Sequence, residues 1–575
     1  MAQMSAVQGL KYRWRLPNHD QKMVNGLAAK FNVSSPLVNV LLTRGYSDPE
    51  TIERFIFTDT RLVGNPGLMK DADKAADRLI KALENKEKIL ICGDYDVDGI
   101  TSSALVLMCM LPLGAQINFF LPNRARDGYG LATKTVERAA QNNYSVIITV
   151  DNGTTAFEPA RKAKELGIDL IITDHHKPHH ELPDAFALVN PHQDDCPYPF
   201  KSFAGVGVGF KLMSLLYQKL GKELPDTVYE LLMLGTIADV VPLLDENRYW
   251  VRHGLRRQTF FASTAFNTLK QNGRLTKPIL SSQDIGFMIA PQINALGRLD
   301  DPRDGVTFLM STDLQEVSRI GLVLSQLNEA RKLVERSILR DIEAELATKD
   351  MVKERVIVAA SNAWPSGVIG LSASRLVGSY CRPAFLFHLT SDGVAKGSCR
   401  SIPAFNLFNA LEKVSDMLIS FGGHAMAAGL ALPAHKLPEF KARMEALVDE
   451  QLTPDDLVPT LQLDAPVALN DVTIKLINDL EYLEPFGCEN TVPLFYLRNV
   501  SIVGEIQLLK EAHTKCLVFS EGIMKPVIFF GRPDVYKLLQ SNPSGVWDMA
   551  VQVTQNYWNN EMRIELQWLD IAEHH

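Results

Sequence analysis

Ile89-Leu90-Ile91-Cys92-Gly93-Asp94-Tyr95-Asp96-Val97-Asp98-Gly99 is the stretch on which the reading of the chain turns. A short aliphatic run passes through a glycine into three carboxylates at alternate positions. The run has the length and composition of a strand buried in a parallel sheet. The same order recurs downstream, where Val146 to Val150 runs into Asp151-Asn152-Gly153 and Leu170 to Thr173 into Asp174-His175-His176. Helical patterns at Ser102 to Met110 and Pro159 to Leu166 separate these runs. From Lys88 to Leu243 the chain therefore reads as βαβ units with right-handed crossovers, a parallel sheet covered by helices.

Three acids at alternate positions of an extended or turning chain fall on one side, where cations must offset their repulsion. An EF-hand loop begins similarly, but its twelfth position counted from Asp94 is Leu105, where a bidentate Glu is required. Asp151-Asn152-Gly153 alone is an ordinary turn. Asp174-His175-His176 after a buried run is hard to explain as packing, whereas His179 and His180 read as a solvated loop. Asp239 stands inside the apolar run Ile237 to Pro242, where a buried carboxylate needs a partner or a metal. Together these segments place acids and an imidazole at the carboxyl edge of one sheet, where open α/β folds build their sites. Carboxylates with imidazole suit two Mn²⁺ or Mg²⁺ ions. Two such ions about 3.5 to 4 Å apart would clamp the attacking and phosphoryl oxygens of a phosphodiester, with Asp151 as the shared ligand.

At 575 residues the chain exceeds one hydrophobic core, and about three to five domains are expected. Hydrophobic residues at 46% and charged residues at 22% are the balance of a soluble globular protein. No apolar run reaches a bilayer span and the first residues lack the apolar core of a signal peptide, so a cytoplasmic protein without membrane partners is expected. Seven cysteines without a CxxC pair argue against a disulfide framework and against a thiolate zinc site. A net charge of -8 says little about a local groove, and the basic clusters Arg124 with Arg126 and Arg252 with Arg256 and Arg257 read, alone, as solvated faces.

From Leu314 to about Lys349 the spacing predicts one long helix, or two broken near Gly321. A second α/β region follows, with strands at Arg355 to Ala360 and Ala384 to Leu389 and glycine-rich turns at Gly367 to Gly370 and Gly422 to Gly429. After Thr453, five alternating segments (Val500 to Ile506, Thr514 to Phe519, Lys525 to Phe530, Trp547 to Thr554, Met562 to Ile571) suggest a small barrel or sandwich, and an OB-type barrel fits.

GDYDVDG, VDNG, TDHH and the acid of IADVVPL resemble, in order, the four motifs of the DHH phosphoesterases. The resemblance implies Asp96, Asp98, Asp151, His175 and Asp239 as metal ligands, Asp94 as a ligand or outer acid, and His176 beside the scissile phosphate. Some family members carry a histidine ligand four residues before the second acid, where this chain has Cys92, so either Asp94 or water would complete that shell. In the second lobe, Gly397 to Ser401 and Gly422 to Gly429 look like DHHA1 substrate-binding motifs, which brings in Ser398, Arg400, Gly423 and His424 as binders of a terminal phosphate. Arg124 and Arg298 match arginines expected along a nucleic-acid path.

The fold implied is two α/β lobes, a DHH lobe with a parallel sheet and a DHHA1 lobe, joined by a long helix and followed by an OB-like β-barrel. The expected divisions are an N-terminal segment 1–87 packing on the DHH lobe, the DHH domain 88–312, a helix 313–350, DHHA1 351–453 and the barrel 454–575. The barrel is what separates RecJ-like exonucleases from shorter relatives. The implied activity is 5′ to 3′ degradation of single-stranded DNA in recombination and repair. Barrels of this kind stack bases on aromatics, for which Tyr557, Trp558 and Trp568 are candidates, although aromatic strand residues are more often core. Single-stranded DNA is the implied partner, joined by single-strand-binding protein and a RecQ-type helicase. Two alternatives stay open: a phosphodiesterase for small nucleotides or oligoribonucleotides, and a replication scaffold without catalysis.

Overall fold

The computed structural model describes residues 5–123, 127–351, 353–558 and 561–574. The chain forms two compact units, Arg54–Ala330 with Leu483–Thr491, and Met1–Glu53 with Arg331–Tyr482 and Val492–His575.

In the first unit five parallel strands lie in the order Gln116–Phe120, Lys88–Cys92, Tyr144–Val150, Asp169–Thr173, Ala187–Val189. Strand residues alternate between faces, and both faces are covered. Ile89, Ile91, Ile148 and Ile171 join one core with the helices Ala72–Glu84, Val97–Met110 and Gly205–Lys219. Leu90, Cys92, Ile147 and Ile172 join another with Thr133–Gln141 and Phe157–Glu165. Burying both faces fixes the register, since a slip of one residue would exchange the two cores.

The helix expected from Ser102 begins at Val97. Asp96 is its N-cap, accepting from the amides of Asp98 (2.9 Å) and Gly99 (3.1 Å). A side-chain oxygen there satisfies amides that have no partner inside the helix. Asp98 therefore sits in the first helical turn, and the three acids do not share one side of an extended chain.

Leu314–Leu346 is a single helix of 33 residues, unbroken at Gly321. A Cβ at Gly321 would lie 2.4 Å from the Thr268 side chain, so the glycine serves close packing and not a hinge.

In the second unit five strands run in the order Ser420–Gly423, Ala427–Pro433, Val394–Arg400, Ala384–Leu389, Ile357–Ser361, with only the last pair parallel. Gly367 and Gly370 belong to the helix Ser366–Tyr380 and not to a turn. A Cβ on Gly370 would come within 2.8 Å of Ser398 Oγ, so small size rather than turn conformation explains this glycine. The strands Phe495–Leu509, His513–Ser520, Ile523–Phe529, Glu561–Glu573 and Val546–Trp558 close into a barrel when the last pairs back to the first.

Residues before Glu53 belong to this second unit, whereas 1–87 was expected as a whole on the DHH lobe. Arg13–Leu16 runs parallel to Thr460–Gln462, and Trp14 packs edge-on against Tyr496 of the barrel. The buried Asp570 carboxylate accepts from the amides of Lys11 and Tyr12 and from Trp14 Nε1. No local pattern announces such a pairing across more than 550 residues.

Candidate metal centre

Three strands of the first sheet deliver acids or imidazoles at their carboxyl ends. After Lys88–Cys92 come Asp94 and Asp96, after Tyr144–Val150 comes Asp151, and after Asp169–Thr173 come Asp174, His175 and His176. Asp239 arrives differently from the expected strand edge, as the C-cap of the helix Val228–Ala238. It is also partly exposed rather than buried, with a side-chain exposure of 22%. Asp151 stands at φ 60°, a left-handed conformation that few residues other than glycine adopt without strain. It sits against the start of the helix Gly205–Lys219, where a Cβ on Gly205 would lie 2.5 Å from Asp151 Cβ. The same helix start holds Asp98, whose two carboxylate oxygens accept from the Gly205 amide at 2.6 Å and the Val206 amide at 2.8 Å.

His175 Nε2 lies 3.2 Å from Asp151 Oδ1, 3.6 Å from Asp239 Oδ2 and 4.0 Å from Asp98 Oδ2. Three groups of potential ligand atoms result: Asp94 with Asp96 and Asp151, Asp98 with His175 and Asp239, and Asp151 with His175 and His176. Within each, the atoms lie within 4.8 Å of one another. Asp151 and His175 each belong to two of the groups.

Burial pushes the Asp98 carboxyl up to about 7, with the nearby Asp96 charge adding and the Gly205 and Val206 amides opposing. Asp151 and Asp239 are raised well above the carboxylate range, first by burial and then by neighbouring acids, Asp98 foremost. Burial and the neighbouring His176 bring His175 down to about 4, so it is a neutral imidazole near pH 7. His175 Nε2 and Asp239 Oδ2 are buried and form no hydrogen bond. Orphaned donors and acceptors among self-repelling acids fit divalent cations, and an oxygen and imidazole donor set fits Mn²⁺ or Mg²⁺.

His176 is held from outside the cluster. Asp174 Oδ1 faces its Nδ1 at 2.7 Å and accepts from its amide at 3.2 Å, while Asp174 Oδ2 accepts from the Thr154 amide at 2.8 Å. Burial alone would raise Asp174, but the bond and charge of His176 together with Thr154 bring it down to about 2. Burial likewise works against a charged His176, and Asp174 outweighs it, raising the imidazole. Asp174 is a site residue that a reading of ligands alone passes over, although its place beside two imidazoles in TDHH carries the signal.

Asn190 and Tyr129 have no local signal at all. The buried Asn190 amide donates to the His176 carbonyl at 2.8 Å and to Thr154 Oγ1 at 3.0 Å, tying two motifs together. The Tyr129 hydroxyl donates to the Asp151 carbonyl at 3.4 Å, its ring edge-on to His176.

The remaining expected residues are distributed as follows. Arg298 ends the helix Ala290–Leu299, which approaches the acidic loop so closely that a Cβ on Gly297 would lie 2.2 Å from the Tyr95 carbonyl oxygen. Arg124 lies outside the described residues, as do the side chains of Tyr557 and Trp558. Trp568 is 8% exposed against Phe529, a core residue and not a stacking platform. Cys92 is buried in the sheet core, where burial pushes its thiol up to about 12.

Ser398, Arg400, Gly423 and His424 lie in the second unit, apart in sequence but gathered by its sheet. Ala427 pairs with Arg400 on one side of its strand, and Ala428 with Gly423 on the other. Arg400 Nη1 donates to Ser398 Oγ at 3.3 Å. Gly423 has φ 140°, and a Cβ there would meet the Ala427 carbonyl oxygen at 2.5 Å, so glycine is required.

Residues 88–236 match the N-terminal domain of the DHH family, 353–450 the DHHA1 domain and 463–570 the RecJ OB domain. The chain is 36% identical to the single-stranded-DNA-specific exonuclease RecJ of Bacillus subtilis, over 98% of this chain and 71% of that one. The chain belongs to the RecJ family. RecJ of Escherichia coli is 35% identical over 79% of this chain and 82% of its own. The structure of Thermus thermophilus RecJ in complex with Mn²⁺ superposes with a TM-score of 0.84 at 28% identity, covering 98% of this chain and 80% of that one. A second structure of Thermus RecJ is a complex with Mg²⁺.

Proposed function

We propose that this chain is a metal-dependent exonuclease that degrades single-stranded DNA from its 5′ end, in recombination and repair. The observation that carries the reading is the overlap of the donor groups at Asp151 and His175. Asp94, Asp96 and Asp151 would hold one Mn²⁺ or Mg²⁺, and Asp98, His175 and Asp239 the other, with Asp151 shared. Cys92, buried in the sheet core, leaves Asp94 to take the place that a histidine holds in some relatives. The two ions, when bound, supply Lewis acidity toward a phosphoryl oxygen and lower the pKa of water.

The chain's own groups do the rest. Asp174 engages Nδ1 of His176, so Nε2 is the nitrogen left to face a phosphate oxygen or donate a proton. Asn190 and Thr154 keep that ring in place through the His176 carbonyl and the Asp174 carboxylate. In the second unit, the Arg400 guanidinium, the Ser398 hydroxyl and the backbone at Gly423 and His424 form a binder for a 5′-terminal phosphate, which sets polarity. Arg298 is the arginine we assign to the strand's path, with Arg124 as a further contact by its sequence match, and the barrel would hold the strand. Single-strand-binding protein and a RecQ-type helicase are the partners this role calls for. The protein would work in the cytoplasm, where its DNA is.

The domain limits that go with this reading are 88–312 for catalysis, 351–453 for the terminus and 454–575 for the strand. An inactive scaffold would show gaps among the donors, and the six side chains are all in place. The test is digestion of 5′- and 3′-labelled single strands, duplexes and short oligoribonucleotides with Mn²⁺, Mg²⁺ or chelator. Stepwise release from the 5′ end of single strands, abolished by chelator, is expected. Preference for oligoribonucleotides that falls with length would overturn the substrate assignment.

A further inference from the structure

Val240, next to Asp239 in the chain, and Phe287 are apolar side chains held out in solvent, 66% and 75% exposed. Val240 directly follows Asp239 and has φ 60°, a strained conformation for a β-branched residue. Its amide donates to the Ile237 carbonyl at 3.3 Å, so the strained end of the helix is anchored. Phe287 stands in one turn of π-helix, Ile285–Ile289, whose end residues are buried while Phe287 and Met288 point outward. Such turns recur at functional sites. Its neighbour Gly286 packs on the same Ile237, where an added Cβ would be 3.4 Å from Cγ2. Val240 and Gly286, the residue before Phe287, thus both meet Ile237, two positions before an acid whose Oδ2 is 3.6 Å from His175 Nε2.

Folding gains nothing from leaving these side chains in water, and apolar surface next to a polar site suits a ligand that carries both characters. The ligand must present a charged group to the acids through cations and an apolar face next to it. An unpaired nucleotide has that combination. We propose that Val240 and Phe287 form a lip that receives the nucleobase beside the phosphodiester being cut, and so select for unpaired strands. The proposal rests on the nuclease reading above. A base inside a duplex keeps both faces in its own stack and has none to offer the lip.

The nuclease reading is tested by release of nucleotides from a natural strand. The lip is tested separately, by the ratio of KM for strands with abasic sites near the 5′ end to KM for natural strands, and by the same ratio of Kd measured with Ca²⁺ whether or not cleavage occurs. The wild-type ratio should be about tenfold, the loss of one base stacked on an aromatic ring. Phe287→Ala should bring the ratio close to one by weakening the natural strand, and Phe287→Trp should keep it. A wild-type protein indifferent to abasic sites overturns the lip, and so does a Phe287→Ala variant that retains the wild-type ratio or a Phe287→Trp variant that loses it. The wild-type comparison needs no variant to fold.

Discussion

At the carboxyl end of the parallel sheet, acids crowd around His175, whereas at the end of the strand Val394–Arg400 a guanidinium stands beside a hydroxyl and close to Gly370 of the helix Ser366–Tyr380. The first group repels itself. Burial and mutual charge raise Asp98, Asp151 and Asp239, so the folded chain alone holds these carboxylates at a cost that cations relieve. The second group, as proposed, would need no metal, because the Arg400 guanidinium beside the Ser398 hydroxyl offers donors to an anion. Under the proposed reading the first group takes a bound cation and the second a phosphate. Cleavage and recognition of the terminus should therefore be separable by mutation.

The widest separation comes from Asp151→Ala. Removing the shared carboxylate should lower cleavage about a thousandfold or more, the loss of several kcal/mol at the transition state, while single-strand binding persists. Gel-shift and Mn²⁺-dependent release assays on the same preparation check it, and full cleavage by the variant would break the contrast. Asp174→Asn should lower kcat about 10- to 100-fold, the usual effect of disturbing a group that orients a site residue, with KM for the strand little changed. A change confined to KM would instead move Asp174 into strand binding. Arg400→Ala should reduce the preference for 5′-phosphorylated over 5′-hydroxyl ends about tenfold, the worth of one charged hydrogen bond, with little loss on hydroxyl ends. An unchanged preference would remove the second half of the comparison.

The smallest effect sharpens the electrostatics. Glu230, in the helix Val228–Ala238, is raised to about 7 by burial, against the bonds from the Ser263 hydroxyl and amide, with no acid cluster around it. Its folded value lies above its ordinary one, so its contribution to stability is complete at low pH and is lost as pH rises through about 7. Glu230→Gln should therefore gain stability relative to wild type between pH 5 and 8, on the order of 2 kcal/mol, read by urea unfolding. Added Mn²⁺ should leave that difference unchanged. A metal-dependent difference would mean that burial and the metal cluster are not independent.

Much of the fold was legible because its signals are local. Ile89 to Cys92, Val146 to Val150 and Leu170 to Thr173 are strands within a few residues of where apolar runs placed them. Five alternating segments after Thr453 form the five barrel strands. The helix start at Val97 was illegible because Asp96, Asp98 and Gly99 look like a turn until the capping bonds are seen. Gly370 misled in the same way, since a glycine chosen for close approach looks like one chosen for a turn.

By itself the sequence singled out the candidate ligands, the acids and imidazoles that follow buried runs, because burying a strand and ending it in a charge are choices written within about ten residues. Only the tertiary structure decided who meets whom. It brought Asp239 in from a helix end, set Asp98 against the amides of Gly205 and Val206, tied Asn190 to His176 and fastened Trp14 to Asp570. Those meetings depend on the packing of segments far apart in the chain, and no periodicity within a segment encodes the partner it will face.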